Sequence, residues 1–184
     1  MAPAPNNRFL GKFRGRVADN NDPLRIGRIT AHVPDVLGED ASTWAMPCFP
    51  FTGERAGQYV MPTVGAGVWI EFEQGNPSYP IWTGCWYGEQ NELPPDALAG
   101  ATVGAEPVVI ETQGHHKIVI SDDPLKGILL QAPAPDGTGN GPFIRITRDG
   151  VQINNGRGAS VSVGSAAGDH VDVNEGRLTV PKKR

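Results

Sequence analysis

Cysteine is nearly absent from this sequence, which has only Cys48 and Cys85 among its 184 residues. The two do not form a CxxC or zinc-type spacing, so we predict two buried free thiols, with a disulfide or redox role as the alternative. No apolar run approaches the roughly 20 residues that span a bilayer. The motifs HExxH and GxSxG and the P-loop are also missing. The sequence therefore assigns no catalytic residue, metal ligand or cofactor, and we predict that the protein is not an enzyme.

An excess of basic charge is lacking too. The chain has 16 Lys and Arg residues against 20 Asp and Glu residues, a formal net charge of −4. This balance argues against general binding to nucleic acids and other polyanions. Residues 1–7 show no basic-then-apolar signal pattern and are predicted to be a disordered lead-in. We therefore expect a protein that is made and folded in the cytoplasm.

Turn-forming residues are abundant, with 24 Gly and 17 Pro, and in the second half they separate short apolar pairs. Two apolar residues spaced two apart form one face of a short strand, because successive side chains of a strand point to opposite faces. Seven such pairs follow one another along the chain: Ile118/Ile120, Ile128/Leu130, Ile144/Ile146, Val151/Ile153, Val161/Val163, Val171/Val173 and Leu178/Val180.

Each of these strands offers a buried face that is only two residues wide. No helix or second layer is predicted in this region to cover that face, and such strands alone could hardly offset their ordering entropy. Identical chains wound around a common axis would point every pair inward at its copies. About eight strands stacked at roughly 4.8 Å each would make a needle on the order of 40 Å long.

The first half reads instead as a compact β domain. Residues 28–34 and 68–73 alternate between apolar and polar side chains, and a short helical turn is predicted near residues 39–43. Five or so strands with one longer excursion favour a small closed barrel of the OB kind. The predicted domains are a disordered N-terminus at 1–7, an OB-fold barrel at 8–88, a linker at 89–105 and a spike at 106–184.

Two stretches of this barrel carry a family resemblance. The first is VADNNDPLRIGRI at 17–29, which runs on to Val33-Pro34, and the second is MPTVGAGVWIEFEQGNP at 61–77, followed by PIWTG at 80–84. In order and spacing they resemble the OB-fold domain of contractile-tail spike proteins. That family includes phage baseplate assembly protein V, the cell-puncturing hub proteins of large phages, VgrG spikes of type VI secretion and spikes of extracellular injection particles.

The resemblance implies an all-β protein in which an N-terminal OB-fold barrel precedes a C-terminal trimeric β-helix or β-prism needle. It implies a structural central spike of a contractile tail or injection-system baseplate, one that punctures the target cell envelope. The linker is too short for an inserted cell-wall hydrolase, and no hub domain precedes the barrel. We therefore expect a separate hub or tube protein at the barrel end and a PAAR-like tip protein at the C-terminal end.

The needle is expected to be a homotrimer with hydrogen bonds between chains around a closed shaft. The sequence is compatible with a prism and with an intertwined helix, and the parent particle can be a phage tail, a secretion system or a free injection particle. The predicted trimer core consists of Ile118, Ile120, Ile128, Leu130, Ile144, Ile146, Val151, Ile153, Val161, Val163, Val171, Val173, Leu178 and Val180.

The aromatic residues of the barrel and one histidine also fit other functions. Exposed aromatic residues of the barrel would also suit a carbohydrate- or receptor-binding tail fibre, or a binder of single-stranded nucleic acid. Trp69 shares its strand face with Glu71 and Glu73, which would repel phosphate, so no nucleic-acid partner is predicted. His116 shares its parity with Ile118. Three copies could gather on the threefold axis around a metal or anion, and the alternative is a solvated or packed histidine.

Overall fold

The protein folds as two compact units, Met1–Glu92 and Leu93–Arg184, in this computed structural model. Nearly all of its regular structure is β-strand, so the predicted all-β class is confirmed. The structure describes residues 8–99, 104–134, 137, 140–165 and 168–173.

The first unit is a sheet that closes on itself. Its elements are β1 (Phe13–Asp19), β2 (Thr30–His32), α1 (Pro34–Leu37), β3 (Met46–Pro47), β4 (Thr52–Gly53), β5 (Ala56–Gly57), β6 (Gly67–Phe72) and β7 (Pro80–Trp86). The strands of the sheet lie in the order β2-β1-β6-β7-β3, antiparallel except for the β3–β7 pair. The two edge strands are joined because Ile29 N–H donates to the carbonyl of Ala45 at 3.2 Å, and Ala45 N–H donates back at 2.7 Å.

The alternating residues of these strands fill the barrel. Both predicted apolar faces are buried, and the indole N–H of Trp82 donates to the Gly27 carbonyl at 3.0 Å. A buried Trp N–H without such a partner would be costly, so this bond fixes the ring in the core. The core residues are Val17, Ile29, Ala31, Val33, Ala45, Val68, Ile70, Phe72 and Trp82.

Two local predictions for this unit were wrong. The helical turn expected near residues 39–43 lies at Pro34–Leu37 instead, because Pro34 suits the first turn of a helix and Gly38, with φ of 63°, ends it. Both cysteines are free, but they are exposed and not buried. Cys48 directly follows the two-residue strand β3. Cys85 lies opposite Val68 near the end of β7, where partial desolvation still raises the pKa of its thiol.

The loop between β1 and β2 is organised by one buried carboxylate. Asp22 Oδ1 accepts hydrogen bonds from Nε and Nη2 of Arg28, at 2.9 and 2.6 Å. The two carboxylate oxygens also accept from the backbone N–H groups of Leu24, Ile26 and Arg28. The Arg28 guanidinium, together with these N–H donors, holds the pKa of Asp22 well below its ordinary range, although burial opposes the shift.

Replacing Asp22 with asparagine is expected to lower the melting temperature of the barrel at neutral pH. A lowered folded-state pKa stabilises the protein above the unfolded value, near 4, and that stability is lost as pH falls through the folded value. The difference between wild type and Asp22→Asn should therefore shrink in acid, as measured by calorimetry from pH 7 downward. Glu54→Gln, at an exposed residue of the β4–β5 turn, is the control, and an unchanged difference across this range would contradict the role of Asp22.

The second unit is one antiparallel sheet of seven strands in chain order, each pairing with its sequence neighbour. It contains a strand that the apolar pairs did not reveal, β8. The predicted pair Leu178/Val180 lies outside the described residues. The strands are β8 (Val108–Glu111), β9 (Lys117–Ile120), β10 (Ile128–Pro133), β11 (Asn140–Thr147), β12 (Gly150–Asn154), β13 (Ser160–Ser165) and β14 (Gly168–Val173).

Candidate trimer interface

The apolar pairs of the second unit line up across the sheet. Every pair lies directly opposite the pair of the next strand, so their side chains share one face in two continuous rows. Row A is Ile110, Ile118, Leu130, Ile144, Ile153, Val161 and Val173. Row B is Val108, Ile120, Ile128, Ile146, Val151, Val163 and Val171. We call the face formed by the two rows the aliphatic face.

The aliphatic face is uncovered in the single protomer. The exposed fraction of the side chains is 62% for Ile110, 48% for Leu130 and 63% for Val171. Monomeric soluble proteins rarely expose a contiguous apolar patch that crosses a whole sheet, and such patches mark interaction surfaces. A concave apolar surface lies along row A, lined among others by Ile110, Ile118, Leu130 and Ile144.

The opposite face of the same sheet has a different character. Arg145, Gln152 and Ser162 lie on it in mutual register across β11, β12 and β13. The segment at residues 95–99 belongs to this unit and is tied to β9 and the turn after it. Asp96 forms an ion pair with Lys117, and the Ala99 carbonyl accepts from Lys126 at 3.5 Å. In the described part of this unit, the aliphatic face is apolar across all seven strands and largely open, whereas the opposite face is apolar only in β8–β10, where Val109, Val119 and Leu129 are half-buried.

The hydrogen bonding of the strands corrects one expectation. Bonds between chains were predicted around the shaft, but the strands from β9 to β13 each have a partner strand of the same chain on both sides. Within the described part of this sheet, only β8 and β14 keep a free edge. Copies of the chain can therefore meet through side chains of the aliphatic face, and within the described sheet interchain ladders could form only at the edges of β8 and β14.

The sequence missed the first layer of the rows, Val108 and Ile110. Val108-Val109-Ile110 has the same uninterrupted apolar pattern as the predicted Ile118-Val119-Ile120, so this pair could have been found from the sequence. The signal was available in the next turn, where Thr112-Gln113-Gly114 leads into the opposing strand. Thr112 N–H donates to the His116 carbonyl at 3.0 Å and closes that hairpin.

His116 lies at the end of row A and lines the concave surface beside Ile118, in agreement with its predicted parity. Its side chain is exposed, whereas the neighbouring His115 turns to Glu111, with Nδ1 and Oε1 2.8 Å apart. Among the described residues of one protomer, no group of three His, Cys, Asp or Glu side chains could hold a metal ion. An ion at His116 would need partner copies.

The barrel residues considered for nucleic-acid binding have other partners. The Arg14 guanidinium lies over the Trp69 ring at 5.7 Å, and Glu71 forms an ion pair with Lys12 at 2.6 Å. No helix in the described ranges is both long and apolar enough to cross a membrane.

Comparison with known proteins gives a match in each unit. Residues 13–87 match the family described as the type VI secretion system/phage-baseplate injector OB domain. Residues 107–179 match the family described as the phage baseplate V C-terminal trimerisation domain. Together the two matches take in most of the chain, in the order barrel and then aliphatic sheet.

A curated relative is similar to the chain over a shorter stretch. The chain is 35% identical over 63 residues to the type VI secretion system spike protein VgrG5 of Pseudomonas aeruginosa. The match covers 33% of this chain and 8% of that protein, so the chain spans only a small part of its relative.

Proposed function

Because this chain belongs to the spike family of phage baseplate V and VgrG-like proteins, a family of structural baseplate proteins, we propose that it is the central, envelope-puncturing spike of a contractile particle. Its C-terminal trimerisation domain supports a homotrimer, assembled into a phage tail or secretion apparatus. In this proposal the homotrimer is a rigid needle and acts mechanically, without catalysis.

The observation that carries this proposal is the aliphatic face. Eleven of the fourteen residues in its two registered rows are exposed in the described part of their own protomer, and Val151, Val161 and Val173 are half-buried. Three such faces turned toward one axis would remove all of them from water, and each fully buried Val, Ile or Leu side chain contributes about 1.5–3 kcal/mol. The proposed core keeps the predicted pairs and adds Val108 and Ile110.

We further propose a prism, in which each protomer forms one wall of the shaft. All interior strands already pair within their own chain, which favours three packed sheets over three intertwined chains. The proposed division is a barrel at 8–88, a linker at 89–105 and a spike at 106–184. The ion pair of Asp96 with Lys117 supports a role for part of the linker in bracing the shaft.

The native mass tests the trimer directly. Light scattering of the purified protein should give three times the 19.6 kDa protomer mass, and the trimer should survive mild SDS without heating. Survival is expected because the apolar rows would be buried along the whole shaft, out of reach of the detergent. A stable 19.6 kDa monomer would overturn the proposal and leave the aliphatic face without its partner.

The ends of the spike are proposed to bind different proteins. A hub or tube protein would join the barrel end, and a PAAR-like tip protein would cap the C-terminal end after the strands of the shaft. Reconstruction of an intact particle is the measurement. Density for a ring above the barrels and for a cap beyond residue 184 is expected, and a needle that ends bare at Arg184 would contradict the cap.

A further inference from the structure

One outer face of the barrel concentrates positive charge. Lys12, just before β1, and Arg14 and Arg16 within it are spaced two apart, so they lie on the same side of the strand, and all three are exposed. The barrel as a whole has more acidic than basic residues. We call the surface formed by Arg14, Arg16 and the two tryptophans beneath them, Trp69 and Trp86, the arginine face.

The tryptophans hold the arginines in place. Arg14 lies 5.4 Å from the centre of the Trp86 ring and 5.7 Å from that of Trp69, and Arg16 lies 5.1 Å from that of Trp86. The Trp86 ring is itself fixed, since its N–H donates to the Val68 carbonyl at 3.1 Å. Guanidinium groups that are already ordered lose little entropy when they bind a carboxylate.

The arginine face has no carboxylate partner within the described residues. The nearby Glu71 forms an ion pair with Lys12, at 2.6 Å. Among the described residues, Arg16 donates only to the Gly65 carbonyl, from Nη1 at 3.0 Å. The Arg14 guanidinium lies over the two rings and forms no ion pair with a described residue. Trp and Arg are also the side chains most enriched at the energetic centres of protein interfaces.

The same barrel carries a patch of the opposite charge. Asp35, Glu39 and Asp40 lie within six residues of each other in and after α1, and all three are exposed. None of them forms an ion pair with another described residue. We call this the acidic loop.

We propose that, in the homotrimer, the arginine face of each barrel binds the acidic loop of the next barrel. This inference rests on the proposed function, because the trimerisation domain is what brings the barrels together. A threefold ring joins its members head to tail, so each protomer must offer two different and complementary surfaces. Tethering raises the effective concentration of barrels into the millimolar range, enough for a contact that would be weak between free molecules.

Engineered disulfides test whether the two surfaces meet. In full-length Cys48→Ser/Cys85→Ser protein, Arg14→Cys with Glu39→Cys should give covalently linked trimers on non-reducing gels. Arg14→Cys with Glu54→Cys, which uses an exposed acidic residue outside the loop, is the matched control. Linked chains in the first variant and not in the second support the contact. A trimer of normal mass whose chains stay unlinked overturns it, and so does a disulfide that forms within one chain, where α1 packs against β1.

Charge reversal tests the electrostatic cause. Arg14→Glu/Arg16→Glu should lower the melting temperature of the barrel within the trimer by about 4 °C, and Glu39→Arg/Asp40→Arg added to it should restore most of the loss. The effect should shrink in high salt, since exposed charges are screened. If Glu39→Arg/Asp40→Arg did not restore the melting temperature, the contact would be overturned. The loss would then come from the arginines no longer stacking on the tryptophans, which changes in the acidic loop cannot repair.

The two proposals fail in different ways. Light scattering of every variant separates them, because the aliphatic face alone is proposed to hold the trimer together. A normal trimer without linkage or rescue overturns the barrel contact and leaves the spike intact. An unmodified chain that is monomeric overturns both.

Discussion

Replacing Val161 and Val163 with aspartate is expected to abolish trimer formation. Both residues lie on β13, one in row A and one in row B, so the variant places six carboxylates in one layer of the proposed core. Burying an unpaired charge costs several kcal/mol, and no basic side chain lies in either row to compensate. Light scattering of Val161→Asp/Val163→Asp should give the protomer mass of 19.6 kDa.

The matched control puts the same charges on the other face. Gln152→Asp/Ser162→Asp changes one residue of β12 and one of β13 that lie on the opposite face, in register with Arg145. This variant should remain a trimer, because its carboxylates stay in water. If Val161→Asp/Val163→Asp were also a normal trimer, the assignment of the rows to the interior would be wrong.

Replacing Gly150 with alanine is expected to destabilise the second unit strongly, although it adds only a single methyl group. Gly150 has φ of 139°, and a Cβ atom there would lie 2.1 Å from the carbonyl oxygen of Val163 on the neighbouring strand. The β12–β13 pair would have to move apart, at a cost of about 3 kcal/mol or more in each chain. Thermal unfolding of Gly150→Ala should show a sharply lower transition for the second unit.

Gly114 provides the comparison within the same sheet. It sits in the turn between β8 and β9, where an added Cβ would meet the His116 ring at 3.7 Å and Thr112 Oγ1 at 4.0 Å, both ordinary contacts. Gly114→Ala should therefore unfold close to wild type. Equal losses in both variants would contradict the role of the close approach to Val163, because the lower entropy of the unfolded chain after a Gly→Ala change by itself stabilises the protein.

Strand content was more predictable in the second unit than strand pairing. The predicted pairs from Ile118/Ile120 to Val171/Val173 all fall on strands, because alternation depends only on local sequence. Which strands pair, and in what register, depends on turn geometry and on the partner chain. An open two-residue face suggested chains wound around each other, whereas the hairpins pair within one chain.

The barrel shows the same limit in a different form. The buried faces of the barrel could be predicted from the alternation of apolar and polar residues, but the hydrogen-bond network around Asp22 could not. Asp22-Pro23 indicates only a turn, and the bond to Arg28 depends on how the loop folds back over six residues. The exposure of Cys48 and Cys85 was missed for a related reason, since residue type predicts average burial and not position at a strand end.

After β8, which contributes Val108 and Ile110, the side chains in the two rows of the aliphatic face become smaller from β9 to β14. Strands β9, β10 and β11 contribute only isoleucine and leucine to them, whereas β13 and β14 contribute only valine. Close-packed interiors leave little empty volume, so three facing sheets must approach one another as their side chains shorten. Reconstruction of the shaft should show it narrowing toward β14. Such a taper would concentrate force at one end of the proposed spike. It would result from the choice of aliphatic residues alone, without any contribution from a cap.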